Sequence, residues 1–225
     1  MKRLSSTLLL LAISFSIYSQ QDFGFKLSGG ISKIIPGSKP IEEGIELTFK
    51  YPPSLQAGFF YECDFGKKST IGAELLFIQM SSKEIIASSY IPWNSRIPIT
   101  ERLHQDLQAS YLSLPVYYRF KINRLSLLVG WQTSIHLTNH YNLYYDEGSS
   151  SKIISGGEGK ADLNSFDYGP KAGIMYNLSK RFAIDASYYY GLPDIISDGG
   201  WNLITAGVRY KFWIRDKKEK VKEEM

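Results

Sequence analysis

From Leu112 onward the apolar residues fall on every second position, Leu112, Leu114, Val116, Tyr118 and Phe120, with Ser113, Pro115, Tyr117 and Arg119 between them. A period of two marks a strand whose two faces meet different surroundings. Ile122-Asn123 is a short polar reversal, after which Leu125, Leu127, Val129, Trp131, Thr133, Ile135 and Leu137 resume the alternation against Ser126, Gly130, Gln132, Ser134 and His136. The pattern predicts a long hairpin with one greasy and one polar face. A greasy face about ten residues long with aromatics at its end suits the lipid-facing wall of a transmembrane barrel.

The same alternation recurs along the chain. Phe23, Phe25, Leu27 and Ile31 give a first strand that ends at Pro36-Gly37, and residues 35–53 read as a loop. Leu55 to Phe65 and Ile71 to Phe77 make a second hairpin around the turn Gly66-Lys67-Lys68-Ser69, with Leu76 and Ile78 as untypically apolar inward positions. Residues from Ser81 to about Leu103 read as a second loop. In the next strand Leu107 and Ala109 are odd-numbered whereas the greasy set from Leu112 is even, which predicts a bulge near Ser110-Tyr111 or emergence above the membrane. The fifth strand ends by Tyr141, residues 143–162 read as a third loop, and Phe166–Tyr176 and Phe182–Tyr190 flank a turn at Asn177 to Arg181. Pro193 to Trp201 is the fourth loop, and Ile204 to Phe212 the last strand.

Long loops thus alternate with tight turns, and the expected fold is all-β: an eight-stranded antiparallel up-and-down transmembrane β-barrel. Closure is demanded by energy, since an open sheet edge in hydrocarbon leaves each unpaired backbone group at a cost of several kcal/mol.

The N-terminus changes the picture by giving the chain an address. Lys2 and Arg3, the apolar run Leu8 to Ile17 and the small polar exit at Ser19-Gln20 predict a signal peptide over residues 1–19, a barrel over 20–213 and a charged periplasmic tail over 214–225. A membrane anchor needs about twenty apolar residues, and this run is shorter and interrupted by Ser14 and Ser16. The single cysteine, Cys63, excludes an internal disulfide and Cys-based metal sites. An aromatic content of 16 Tyr, 12 Phe and 4 Trp suits interfacial girdles better than one small core. The net charge of +4 does not point to nucleic acid.

The polar parity sends Glu62, Glu74, Arg119, Lys171, Asp185, Arg209 and Lys211 toward the lumen. Glu62 and Glu74, brought together by the turn at Gly66, could form an acid/base pair, but mixed charges in so narrow an interior fit a paired plug with no water channel. Ser134, His136 and His140 suggest a lipid-modifying hydrolase; the inward parity of Ser134 and His136 argues against it. His104, His136 and His140 do not make a metal site, since four residues along a strand separate the last two by about 13 Å. The expectation is no enzyme and no cofactor. A secreted soluble barrel carrying an apolar ligand is the other alternative, disfavoured by charges at strand middles opposite the greasy face. The leading expectation is a monomeric outer-membrane barrel of a Gram-negative bacterium, plugged by side chains, that binds a partner or surface through extracellular loops, with Trp93, Tyr144 and Trp201 as candidates.

With the YLSLP segment at residues 111–115 and the stretch FDYGPKAGIMYNLSKRFAIDASYYYGL at 166–192, the chain resembles the PorT-like outer-membrane β-barrel family of Bacteroidetes. The resemblance spans the whole expected mature chain and implies a fold, with a secretion machinery as partner for some members. Residues 205–212, TAGVRYKF, are similar to the C-terminal signal read by the barrel-assembly machinery. The resemblance assigns that role to Thr205, Gly207, Tyr210 and Phe212, although Trp213 and the charged tail follow here.

Overall fold

The computed structural model describes residues 20–36, 45–90, 99–147, 150–159, 163–192 and 199–214. Residues 1–19 and 215–225, and with them the expected signal peptide and nearly all of the tail, lie outside the described residues.

Eight strands form the ring. In ring order they are β1 (Gln20–Pro36), β3 (Pro53–Asp64), β4 (Ser69–Tyr90), β5 (Ile99–Ile122), β6 (Leu125–Glu147), β8 (Phe166–Asn177), β9 (Phe182–Tyr190) and β10 (Gly199–Ile214). Every neighbouring pair is antiparallel, and β10 returns to pair with β1 along fifteen matched positions from Asp22↔Ile214 to Pro36↔Gly199. The edge is therefore closed, as hydrocarbon requires. Two short strands, β2 (Ile45–Lys50) and β7 (Ser150–Gly159), lie outside the ring order. β2 pairs with residues 83–88 of β4, and β7 with residues 139–147 of β6.

One end of the barrel carries the tight turns and the other the long connections. At the turn end Gly66 has φ +95° and Asn123 φ +56°, the left-handed region that Gly and Asn enter most readily. Asn123-Arg124 makes a two-residue reversal, with Ile122 paired to Leu125. The third turn is tied by Phe182 N–H donating to Ser179 Oγ at 3.0 Å.

At the other end the strands run farther than the hydropathy indicates. The stretch from Ser81 to Leu103 is mostly a continuation of the β4–β5 ladder, β6 runs to Glu147, and β2, β7 and the start of β10 fall in segments read as loops. The cause is visible in the burial: residues 83–87 and 103–106 are all half-buried, so lipid and lumen no longer impose alternation there. A period-two signal needs two unlike faces.

The predicted parity change also has a different origin. In β5 the odd positions Leu107, Ala109, Tyr111, Ser113 and Tyr117 all face inward without a break. Leu107 and Ala109 are apolar because the interior itself turns apolar at that level. A register shift does occur beside Ser110/Tyr111, but on the partner strand: Ser110 pairs with Thr138 and Tyr111 with His136, leaving Leu137 of β6 as the extra residue. Beyond this bulge the inward set of β6 changes from Gln132, Ser134 and His136 to Asn139.

The outer wall is apolar and exposed, as at Leu114 (52%), Val129 (61%) and Phe166 (58%). These are lipid-facing values for side chains that a soluble fold would bury. The interior has two layers, a charged one toward the turn end and an apolar one toward the loop end.

Candidate functional site

Strand parity delivers charged side chains from seven strands to one level of the lumen. Arg119 (β5) and Arg209 (β10) converge on Glu62 (β3) at 2.7 and 3.2 Å, with all three side chains at most 2% exposed. Arg209 also reaches Glu74 (β4) at 3.3 Å. Glu74 is shared further with Lys171 (β8) at 3.3 Å and Lys26 (β1) at 3.6 Å, and Lys26 bonds Asp185 (β9) at 2.5 Å. Tyr117 sits at the centre, donating its hydroxyl proton to Glu62 at 2.8 Å while accepting from Arg209 at 2.5 Å. The Arg209 guanidinium lies over the Phe60 ring at 4.1 Å, so its face is covered as well. A second tier nearer the turns pairs Lys211 with Asp22 at 2.5 Å and Lys121 with Asp64.

Each of the seven lumenal charges expected from parity therefore belongs to the network, Lys211 in the outer tier. Lys26, Asp22, Asp64, Lys121 and Tyr117 join them, and parity carries the same signal for these five. Between Phe25 and Leu27, for example, Lys26 must face in. The void among Lys26, Glu74, Tyr117, Lys171 and Asp185 measures about 10 Å³, near the limit for a single water. Interlocked charges of this kind hold one another by geometry, and removing one partner strands the others without solvent.

Above this layer Leu76, Ile78 and Met80 of β4 pack with Leu107, Ala109 and Tyr111 of β5, Tyr189 of β9, and Trp201 and Leu203 of β10. Trp201 corrects an expectation. It is a buried residue of β10, not an exposed loop aromatic, since the strand begins at Gly199 and residues 201, 203, 205 and 209 all point inward. Its indole N–H donates to the Tyr111 hydroxyl at 3.0 Å, and the two rings meet edge to face at 6.4 Å. Tyr144 lies in β6, its backbone paired with His104 and Ile153, and not in a loop. Trp93 falls among residues 91–98, outside the described residues.

Ser134, His136 and His140 do not share a face. His136 is inward, its ring tilted against that of Tyr111 at 5.3 Å between centroids, but the Leu137 bulge turns His140 outward. Ser134 Oγ accepts from Ser113 Oγ at 2.6 Å and from Gln132 Nε2 at 3.4 Å. Among the described residues no group of three His, Cys, Asp or Glu side chains is arranged to hold a metal ion.

The four residues of the C-terminal pattern lie on β10. Thr205 points inward, accepting from Gln56 Nε2 at 2.9 Å and lying 2.9 Å from Ser187 Oγ. Gly207 faces β1 so closely that a Cβ would come within 2.0 Å of Ser28 Oγ and 2.3 Å of the Leu27 carbonyl oxygen. Tyr210 packs between Phe182 and Phe212 on the outer wall, with centroids 4.8 and 5.4 Å away. Phe212 is the extra residue of a bulge, because Gly24 pairs with Lys211 and Phe23 with Trp213.

Residues 18–197 match the family model described as outer membrane protein beta-barrel domain. The chain belongs to this family. It is an outer-membrane β-barrel protein of a Gram-negative bacterium and lies in the lipid bilayer, which removes the soluble ligand carrier as an alternative. Similar solved structures include Neisserial surface protein A (NspA), 13% identical, covering 84% of this chain and 97% of that one at a TM-score of 0.46. The attachment invasion locus protein Ail of Yersinia pestis, in complex with the heparin analogue sucrose octasulfate, is also 13% identical, covering 86% and 99% at 0.42. OprG of Pseudomonas aeruginosa is 11% identical, covering 86% and 96% at 0.33. No curated protein matches the chain in sequence.

Proposed function

We propose that this family member is a closed, non-enzymatic barrel that presents a binding surface at its loop end, and that it is of the PorT-like type. The observation that carries the reading is the contrast between the two ends of β4, β5 and β6. Within the bilayer they wall a lumen filled by the Glu62–Arg119–Arg209–Glu74 network and the Trp201 layer. Beyond it they continue as a sheet to which β2 and β7 add. A pore has no use for a sealed lumen, whereas a partner can use a rigid sheet held clear of the lipid.

Crosslinking tests the reading. A photoreactive side chain at Thr48 or Arg102, both exposed on the extension, is expected to capture a discrete surface or secretion partner in intact outer membranes. Capture from a turn-end position such as Lys180 with none from Thr48 or Arg102 would overturn it. Planar bilayers containing the protein are expected to show no stepwise conductance.

A further inference from the structure

The charges on the outside of the barrel are distributed as unevenly as those within it. Each of the three tight turns carries exposed cations: Lys67 and Lys68 in the first, Arg124 in the second, Lys180 and Arg181 in the third. The described carboxylates nearest this end, Asp22 and Asp64, are turned inward and taken by Lys211 and Lys121. Among the described residues none of the five rim cations is in an ion pair. The loop-end extension is different, mixing Glu46, Lys50 and Arg102 with the ion pair Lys83–Asp106.

Backbone hydrogen bonds fix these turns into one ring. The Lys68 carbonyl accepts from Lys121 N–H at 2.8 Å, the Arg124 carbonyl from Asn177 N–H at 2.8 Å and the Arg181 carbonyl from Lys211 N–H at 2.9 Å. In each case the stitched carbonyl belongs to a rim cation, so the turn is tied to the next strand and its basic side chain is held at the margin. Directly against the ring sits a lipid-facing collar that includes Phe65, Ile122, Leu178, Phe182 and Trp213, all at least 40% exposed. Apolar and aromatic side chains seat in acyl and interfacial lipid, which leaves long basic side chains at the depth of the headgroups.

We propose that the turn-end rim is a binding ring for the phosphate headgroups of anionic phospholipids in the leaflet it faces. The chemistry is a charge-assisted contact from Lys67, Lys68, Arg124, Lys180 and Arg181 to lipid phosphate, with the ring's uniform sign giving preference for lipids that keep a net negative charge. A leaflet-specific attraction at one rim also sets the depth and the direction in which the finished barrel sits.

The test uses the full chain in nanodiscs of equal parts phosphatidylcholine and phosphatidylglycerol, released for native mass spectrometry of retained lipid. Phosphatidylglycerol is expected to exceed phosphatidylcholine by at least about fivefold, the size of one basic residue at an anionic surface. Lys67→Gln, Lys68→Gln, Arg124→Gln, Lys180→Gln and Arg181→Gln combined should bring the ratio to about one while the heat-modifiable gel band persists. The loop-end control Lys50→Gln with Arg102→Gln should leave the preference unchanged. Should the five-site variant fail to fold, raising salt to about 1 M, where the screening length is about 3 Å, is expected to abolish the preference of the unaltered protein. Equal retention of both lipids by the unaltered protein, survival of the preference in the five-site variant or in high salt, or its loss in the loop-end control overturns the proposal. So does rim-dependent pelleting with cell-wall polymer in the absence of a lipid preference.

Discussion

Gly72 and Tyr117 face one another across β4 and β5 so closely that a Cβ on the glycine would lie 2.5 Å from the tyrosine ring. The missing side chain gives the ring its place, and the ring carries the hydroxyl that joins Glu62 to Arg209. Gly72→Val therefore cannot be absorbed locally; it drives Tyr117 off its rotamer and breaks the centre of the charge network. A loss of about 3 kcal/mol or more is expected, read as a lower urea midpoint for the heat-shifted band. Gly29→Ala is the control, with nothing within 4 Å of the added carbon, and should be neutral. Equal effects of the two changes would remove the close-packing argument.

Glu62 holds two arginines, whereas Lys171 binds Glu74 from the edge of the network at 3.3 Å. Glu62→Gln removes the closest counter-charge of both guanidiniums in a site without solvent, leaving Arg119 only Asp64 at 3.8 Å and Arg209 only Glu74 at 3.3 Å, and should cost about 3–5 kcal/mol. Lys171→Met should cost less, because Glu74 retains Arg209 and Lys26. The ranking is measured by urea titration in detergent micelles, and a reversed order would show that the pairs do not act as one network.

Trp201 gives a test that separates packing from recognition. Trp201→Ala opens a cavity in the apolar layer, deprives Tyr111 of its hydrogen-bond donor, and should destabilise the barrel by about 3–5 kcal/mol. Partner capture from Thr48 should persist in whatever fraction remains folded. Capture lost at full stability would return the indole to the recognition surface.

Much of this architecture is legible from parity alone. Where lipid lies on one side and charge on the other, as at Leu112 to Phe120, two-residue alternation assigns every side chain, and Glu62, Arg119 and Arg209 can be placed without coordinates. Legibility fails where that contrast fades. Residues 83–87 are half-buried on both faces, so the strand continues with no hydropathic trace. The position of Trp201 is illegible for a related reason: above the charged layer the lumen is lined by Ile78, Met80 and Leu203, and an aromatic facing it resembles a loop residue after Gly199-Gly200. The change of apolar parity in β5 points to the right level but not to β6, where the extra residue Leu137 sits, because a sequence shows that a pattern breaks but not which strand of the ladder carries the extra residue. The pairing of particular charges, such as Lys26 with Asp185, separated by 159 positions, depends on closure and has no local signal.

The Leu137 bulge makes the two neighbouring histidines unequal. His136→Ala removes a buried ring lying against Tyr111 and should lower stability by about 1–3 kcal/mol. His140→Ala, on the outer side of the bulge, should fall within about 0.5 kcal/mol of the parent. Neither is expected to change turnover of a chromogenic ester, since the fold does not bring Ser134, His136 and His140 together. A defect in ester cleavage specific to His136→Ala would revive the hydrolase reading.

The closing strand supplies the last prediction. β10 must zip onto β1 for the barrel to exist, and the zipper is supported by Gly207 against Ser28, by Thr205 against Gln56, and by the Phe182–Tyr210–Phe212 ring contacts on the outer wall. Truncation after Ala206 deletes the β10 partners of Phe23 through Ser28 and of Phe182 through Asp185. It reopens an edge whose unpaired groups cost several kcal/mol each in hydrocarbon, and no heat-modifiable species should form. Truncation after Trp213 spares all of these contacts and should give a folded barrel. Deletion of Phe212 alone distinguishes stability from recognition. Phe212 is the unpaired bulge residue, so Lys211 and everything before it keeps its register with β1, and the barrel refolded in detergent should remain within about 2 kcal/mol of the parent. If Thr205, Gly207, Tyr210 and Phe212 are the assembly signal, the same deletion should nevertheless lower the amount inserted in cells. Normal insertion in cells with a large loss of refolded stability would make Phe212 a structural residue of the closing seam rather than part of a signal.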